Sequence, residues 1–206
     1  MPFKARARSG LRHTGHRVIL DGVESSRQAS FSLANRCARM LWGVVWLLLF
    51  RPSPRPLHAW RAGLLRVFGA TVGSAVHVYP GARIWAPWNL EIGDAVGIGD
   101  GAVLYSMAPI RIGRRCVVSQ GAHLCCGSHD IDSGNFQLTA LPIVLAPHVW
   151  VCAEAFIGPG VTVAEGCVIG ARAVLCKSAT QPWTVWKGNP AQPGRRRSPA
   201  RAGQAT

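Results

Sequence analysis

From Leu145 onward an aliphatic side chain recurs at every sixth position, at Leu145, Val151, Ile157, Val163, Ile169 and Leu175. The fourth residue after each is small or apolar: Val149, Ala155, Val161, Cys167, Ala173 and Ala179. A strand alternates every second residue and a helix turns every 3.6, so neither produces a beat of six. A hexapeptide solenoid does, because three short flat strands and three tight turns complete a coil of about eighteen residues, each strand sending its aliphatic side chain inward. The turns need unusual backbone angles, and Gly158, Gly160, Gly166 and Gly170 are suited to supply them. The same beat runs earlier through Val72, Val78 and Ile84. After a slip of two residues it resumes at Ile92, Ile98 and Leu104, and after another at Ile112, Val118 and Leu124. Fifteen positions obeying one rule predict an all-β fold, a single-stranded parallel β-helix.

At 206 residues with 49% hydrophobic composition, the chain suits one main domain with appendages. The expected divisions are a basic, disordered tail over 1–29, a helical segment over 30–66, the solenoid over 67–180 with a loop inserted at 125–144, and a C-terminal loop and basic tail over 181–206. The formal net charge of +14 is unevenly placed. Lys4, Arg6, Arg8, Arg12 and Arg17 lie at one end, Arg195, Arg196, Arg197 and Arg201 at the other. Between Glu24 and Glu91 there are arginines and no acid. Such a field favours anionic lipid headgroups, polyprenyl-phosphate-linked glycans or nucleic acid, against the plain alternative of solubility. Nucleic acid is not expected, since charge is its only support.

Residues 40–50, MLWGVVWLLLF, form the one long apolar run. Eleven residues of helix reach roughly 16 Å, about half a bilayer core, so the run is not expected to cross a membrane alone. It starts too late for a secretory signal and leads into RPSPRP rather than a cleavage site. The expectation is a helix from Leu33 to Phe50, stopped by Pro52, Pro54 and Pro56. It either packs on the solenoid or lies at a membrane surface with its arginines on headgroups. None of the seven cysteines sits in a CxxC pair. Cys116 and Cys167 fall on small inward positions, as reduced filler in a cytoplasmic protein.

The beat breaks between Leu124 and Leu145, in CCGSHDIDSGNFQLTALPIV. Solenoids accept insertions at their corners, where the extra chain projects as a loop. This loop carries His129 beside Asp130. An imidazole can take a proton from a hydroxyl near neutral pH, and an adjacent carboxylate can raise its basicity or fix its tautomer.

The hexapeptide tract, the GSHD loop, APHVWVCAEAFIGPGVTVAEGCVIGARAVL and the closing PWTVWKGNPA together resemble the left-handed β-helix acyltransferases, which include maltose, galactoside and nodulation-factor acetyltransferases. SFSLANR, LLLFRPSPRPLHAW, IWAPWNLEIGD and SQGAHLCCGSHD bring the resemblance to the colanic acid biosynthesis acetyltransferases. It covers residues 30–194. The resemblance implies a left-handed winding and acetyl transfer from acetyl-CoA to a sugar hydroxyl of an exopolysaccharide or lipid-linked oligosaccharide. His129 would be the general base for direct attack, with Asp130 supporting it and no acyl-enzyme. It further implies a homotrimer with active sites in grooves between subunits, a saccharide acceptor as partner, and no metal. Trp150, Cys152, Ala153 and Gly170 match the wall of that groove. Gly188, Asn189, Pro190 and Ala191 match the C-terminal loop near the nucleotide end, where Lys187 and Arg195 would meet phosphates.

The chain departs from the family pattern at VWVCAEA, where Cys152 replaces a common glycine beside Glu154. Gly97 replaces a bulkier residue, and QPGRRR replaces a lysine-and-aliphatic close. Two other readings stand beside this one. A zinc hydratase resembling the γ-type carbonic anhydrases would use His123, His129 and His148, although residues six apart face different sides of a solenoid. A non-catalytic scaffold in a polysaccharide complex would use the basic segment to dock on a membrane.

Overall fold

The computed structural model describes residues 17–18 and 30–198. The remainder of the expected basic tails lies outside the described residues. Each coil gives one strand to each of three parallel sheets, so the chain winds as a three-sided left-handed β-helix of about six turns. The first face holds Thr71–Val72, Leu90–Ile92, Ile110–Ile112, Ile143–Leu145 and Thr162–Val163. The second holds His77–Val78, Gly97–Ile98, Val117–Val118, Trp150–Val151 and Val168–Ile169, and is closed by Thr184–Lys187 with antiparallel Gln192–Arg196. The third holds Arg83–Ile84, Val103–Tyr105, His123–Cys125, Phe156–Ile157 and Val174–Leu175.

The register explains the slips in the beat. Thr71 pairs with Glu91 and Glu91 with Arg111, twenty residues apart each time, whereas Val144 pairs with Thr162 eighteen apart. The two extra residues widen the corner between third and first faces. There the Ser106 hydroxyl accepts from the Ala86 amide at 3.0 Å and donates to the Ala86 carbonyl at 2.9 Å. Asn89 Nδ2 donates to the Ser106 carbonyl at 2.8 Å, tying the enlarged corners of two coils together. Of the fifteen beat positions only Val72, in the first coil, is half-buried; the others are buried, as are the fourth-place residues Val76, Ala82, Val96, Ala102, Cys116, Ala122 and those from Val149 to Ala179.

The turns depart from expectation. Gly160 and Gly166 adopt left-handed backbone, but Gly158 and Gly170 do not. The stacked turns place non-glycine residues there instead: Ala75, Ala95, Arg115 and His148 at one corner, Glu154 and Arg172 at another. Inter-coil bonds hold them, as Ala95 N–H donates to Ser74 at 2.8 Å and Arg115 N–H to Asp94 at 2.8 Å. Gly170 answers a different need, since a Cβ there would lie 3.2 Å from the Trp186 carbonyl.

Gly73, Gly93 and Gly113 each donate to the following coil at 2.8 Å, while turn amides such as Ala95 and Arg115 donate back to the preceding one. The first coil has no coil before it, so its backbone carbonyls on that side form an open edge that needs donors. The N-terminal helices supply them. Helix α1 (Leu33–Val45) continues as a single π-helical segment, Trp46–Phe50, and helix α2 spans His58–Val67. Trp42 Nε1 donates to Ile84 O at 2.8 Å and Trp46 Nε1 to Ala82 O at 2.9 Å. Arg61 Nε donates to Val78 O at 2.6 Å, and Arg66 Nη2 to Gly73 O at 2.7 Å. Arg61 is completely buried, and its other nitrogens reach Ser53 Oγ at 2.8 Å, Pro54 O at 2.9 Å and Arg55 O at 2.5 Å. Burial pushes this guanidinium's pKa down, with Asp100 partly countering the effect.

The helix thus covers Leu33 to Phe50 as expected. Its length corrects the eleven-residue estimate: eighteen residues at mean hydropathy 1.3 are enough to cross a bilayer by length and composition. Buried Trp42 and Phe50 nevertheless fasten one side of it to the solenoid.

Candidate active site

The inserted loop folds as a hairpin at the corner between the third and first faces. Strand Gly127–His129 pairs antiparallel with Leu138–Ala140, with Gly127 opposite Ala140 and His129 opposite Leu138. Arg17–Val18, from the basic N-terminal stretch, adds a third strand through Ala140 and Thr139. A Cβ on Gly127 would sit 2.5 Å from Met107 Sδ and 2.9 Å from Tyr105 Cε1, so the hairpin leaves the prism through a gap that only glycine fits. Gly127→Ala is expected to displace the hairpin and lower turnover by about 10²-fold, while the thermal melt stays near native. Steady-state rates and circular dichroism measured together check this.

His129 is exposed at the end of its strand. Its Nδ1 lies 2.7 Å from the carbonyl oxygen of Phe136, whose backbone is left-handed at φ 48°. A carbonyl can only accept, so Nδ1 carries the proton and Nε2 is left with a free lone pair. Asp130 does not set this tautomer. Its carboxylate accepts from the Asp132 amide at 3.1 Å, an Asx turn, while its own amide donates to Gln137 O at 2.8 Å. Ser133 braces the same turn, donating to Asp130 O at 2.8 Å and accepting from the Gln137 amide at 2.8 Å. Phe136 O, rather than the Asp130 carboxylate, is thus the acceptor that meets His129 Nδ1. Backbone acceptors carry no residue-type signature, so composition and spacing could not reveal this one.

The remaining candidates gather at another edge, where the second face turns into the third. Trp150 is on the outer side of the second face, half-exposed, with Nε1 donating to Ser119 Oγ at 2.9 Å. Cys152 and Gly170 occupy stacked turns, joined where Cys152 N–H donates to Ile169 O at 2.8 Å and Gly170 N–H to Trp186 O at 2.7 Å. Ala153 O accepts from Arg172 N–H at 3.0 Å. Beyond Lys187, the turn Gly188-Asn189-Pro190-Ala191 docks on the third face, where Gly188 O accepts from Val174 and Ala191 N–H donates to Val174 O at 2.8 Å. Glu154, on the same edge, pairs with Arg172 at 2.6 Å, and that arginine lowers its pKa. Arg195 lies exposed on the closing strand, whereas Arg197 is used structurally, bonding His148 O at 3.0 Å and Gly166 O at 3.2 Å. Within one chain, His129 and this group therefore occupy different edges of the prism.

Burial raises the thiol pKa of Cys125, Cys152 and Cys167, and pushes those of Cys116 and Cys126 up to about 12. These five thiols are poor nucleophiles near neutrality. The three histidines of the zinc reading stay apart. His148 stacks on Trp183, and His123 packs between Tyr105 and Phe156 with a buried, unpartnered Nε2 and a lowered pKa. Among the described residues no cluster of three or more metal-ligating side chains forms.

No protein-family model matches the chain. It is 42% identical over 161 residues to WcaF of Escherichia coli K12, named as a colanic acid biosynthesis acetyltransferase, covering 78% of this chain and 88% of that one. The structure of a hexapeptide-repeat acetyltransferase from Vibrio cholerae superposes with a TM-score of 0.74 at 25% identity, over 81% of this chain and 94% of that one. A galactoside acetyltransferase in complex with coenzyme A shares the fold, with a TM-score of 0.75 at 22% identity over 86% and 90% of the two chains. On its solenoid, its inserted hairpin and its identity to WcaF, the chain belongs to the hexapeptide-repeat acetyltransferases, alongside those of colanic acid biosynthesis.

Proposed function

We propose that this protein moves an acetyl group from acetyl-CoA to a hydroxyl of a saccharide, either exopolysaccharide or lipid-linked oligosaccharide, with His129 as general base. The observation that carries the reading is the 2.7 Å contact from His129 Nδ1 to Phe136 O. In the neutral ring it assigns the proton to Nδ1 and leaves the Nε2 lone pair to accept one. Acetyl-CoA supplies the activated acyl group as a thioester. His129 Nε2 accepts the proton of the acceptor hydroxyl as its oxygen bonds to the thioester carbon; the carbon–sulfur bond then breaks and the proton passes to the departing thiolate. The neutral state of the shifted cysteines favours this direct route over an acyl-enzyme.

The second edge fits a long anionic co-substrate. Lys187 and Arg195 offer charge to phosphates, Trp150 offers an exposed ring, and Arg172 pairs with the Glu154 carboxylate nearby. Because His129 and that edge lie apart in one chain, we place the complete site between neighbouring subunits of a homotrimer. The setting is the cytoplasm, at the inner face of the plasma membrane, where lipid-linked saccharides are available. Acetyl-CoA titrated calorimetrically should bind the protein, and mass spectrometry of a saccharide acceptor should gain an acetyl-sized increment. Absence of acetyl-CoA binding at millimolar ligand would instead favour the scaffold reading.

A further inference from the structure

Helix α1 and its π-helical extension are fastened on one side only. The opposite side is apolar and open: Leu33 is 73% exposed, Met40 67%, Leu41 58% and Leu48 63%. Monomeric surfaces rarely leave so many large aliphatic side chains together without a partner. Beside this strip, between α1 and strand Arg83–Ile84, lies a cleft of about 440 Å³ lined by Arg39, Arg51 and Arg83 with Trp42, Trp46 and Trp85. The guanidinium of Arg39 lies 4.4 Å from the Trp85 ring and that of Arg51 5.5 Å from Trp46. Among the described residues no carboxylate pairs with any of the three.

We infer that this face docks the protein on an anionic lipid bilayer, with the leucine strip of α1 in the interface and the Arg39, Arg51, Arg83 cleft seating a lipid phosphate. The juxtaposition has the chemistry of an interfacial helix: aliphatic side chains enter the acyl boundary and arginines reach phosphates. The helix lies in the plane rather than spanning, because Trp42 and Trp46 bind it sideways to the solenoid. Charge decides against a second copy as the occupant. No acid occurs between Glu24 and Glu91, so two such faces would oppose arginine to arginine, whereas an anionic bilayer complements them. None of this depends on a step of acetyl transfer.

The test uses the full chain and sedimentation with vesicles. Vesicles of phosphatidylcholine mixed with phosphatidylglycerol should retain the protein, and added salt should release it; phosphatidylcholine alone should retain little. Arg51→Gln with Arg83→Gln should weaken retention on the order of thirtyfold, at about fivefold per arginine. Leu41→Ser with Leu48→Ser should weaken it at least about tenfold. Both double variants should keep native oligomeric mass by sedimentation velocity and native turnover on a water-soluble acceptor. Four results would each overturn the inference: equal retention on both vesicle types, undiminished retention of both variants, a changed oligomeric mass in the leucine variant, or binding of glycerol phosphate without binding of vesicles.

Discussion

His129→Ala is expected to lower acetyl transfer by about 10²–10⁴-fold, with folding, assembly and acetyl-CoA affinity unchanged. The side chain is exposed and, among the described residues, its hydrogen bond is to a backbone carbonyl, so removing it exposes no core. On the proposed role, what disappears is the acceptor of the hydroxyl proton at the moment the oxygen attacks. The loss should therefore fall on turnover rather than on binding. Asp130→Asn gives the contrast. The amide oxygen can still accept from the Asp132 N–H, so the turn persists and the loss stays well below that of His129→Ala. Equal losses would mean that Asp130 orients the imidazole after all.

Arg61→Met is the second large effect, and it falls on stability. Arg61 serves carbonyls of Val78, Pro54 and Arg55 and the hydroxyl of Ser53 from a fully buried position. A thioether fills the volume and donates nothing. Each acceptor left dry costs on the order of 1–3 kcal/mol. With partial rehydration the expected loss is about 3 kcal/mol, or a melting point lower by roughly 6–12 °C in a chain this size. Arg61→Lys keeps charge but reaches fewer acceptors in a fixed plane, so it should recover less than half of the loss. A native melting curve for Arg61→Met would mean that the open edge of the first coil needs no donors from α2.

These two residues also show what a sequence of this kind discloses. The solenoid was legible because fourteen inward side chains repeat with the coil, and even the two-residue slips correspond to corners tied by Ser106 and Asn89. The break in the beat marks the hairpin that carries His129. The role of Arg61 was not legible, since a run of arginines reads as a field for anionic partners, and only the open edge of the first coil reveals the need for buried donors. Gly158 and Gly170, two of the four expected turn glycines, were misplaced for a related reason. The left-handed positions follow from stacking on neighbouring turns, which Ala75 or Glu154 satisfies through backbone bonds as well as glycine does. Phe136 stayed hidden because its contribution is a carbonyl oxygen, common to all residues.

The claim on which the functional account turns is that each reaction centre takes His129 from one solenoid and the Trp150, Cys152, Ala153 edge from its neighbour. Subunits carrying His129→Ala, and others carrying Ala153→Trp to obstruct that edge, should each assemble into inactive oligomers. Mixed by co-expression, they should regain about a quarter of native turnover, the share of interfaces that random assembly leaves intact. Mixed oligomers as inactive as either parent would contradict a shared site.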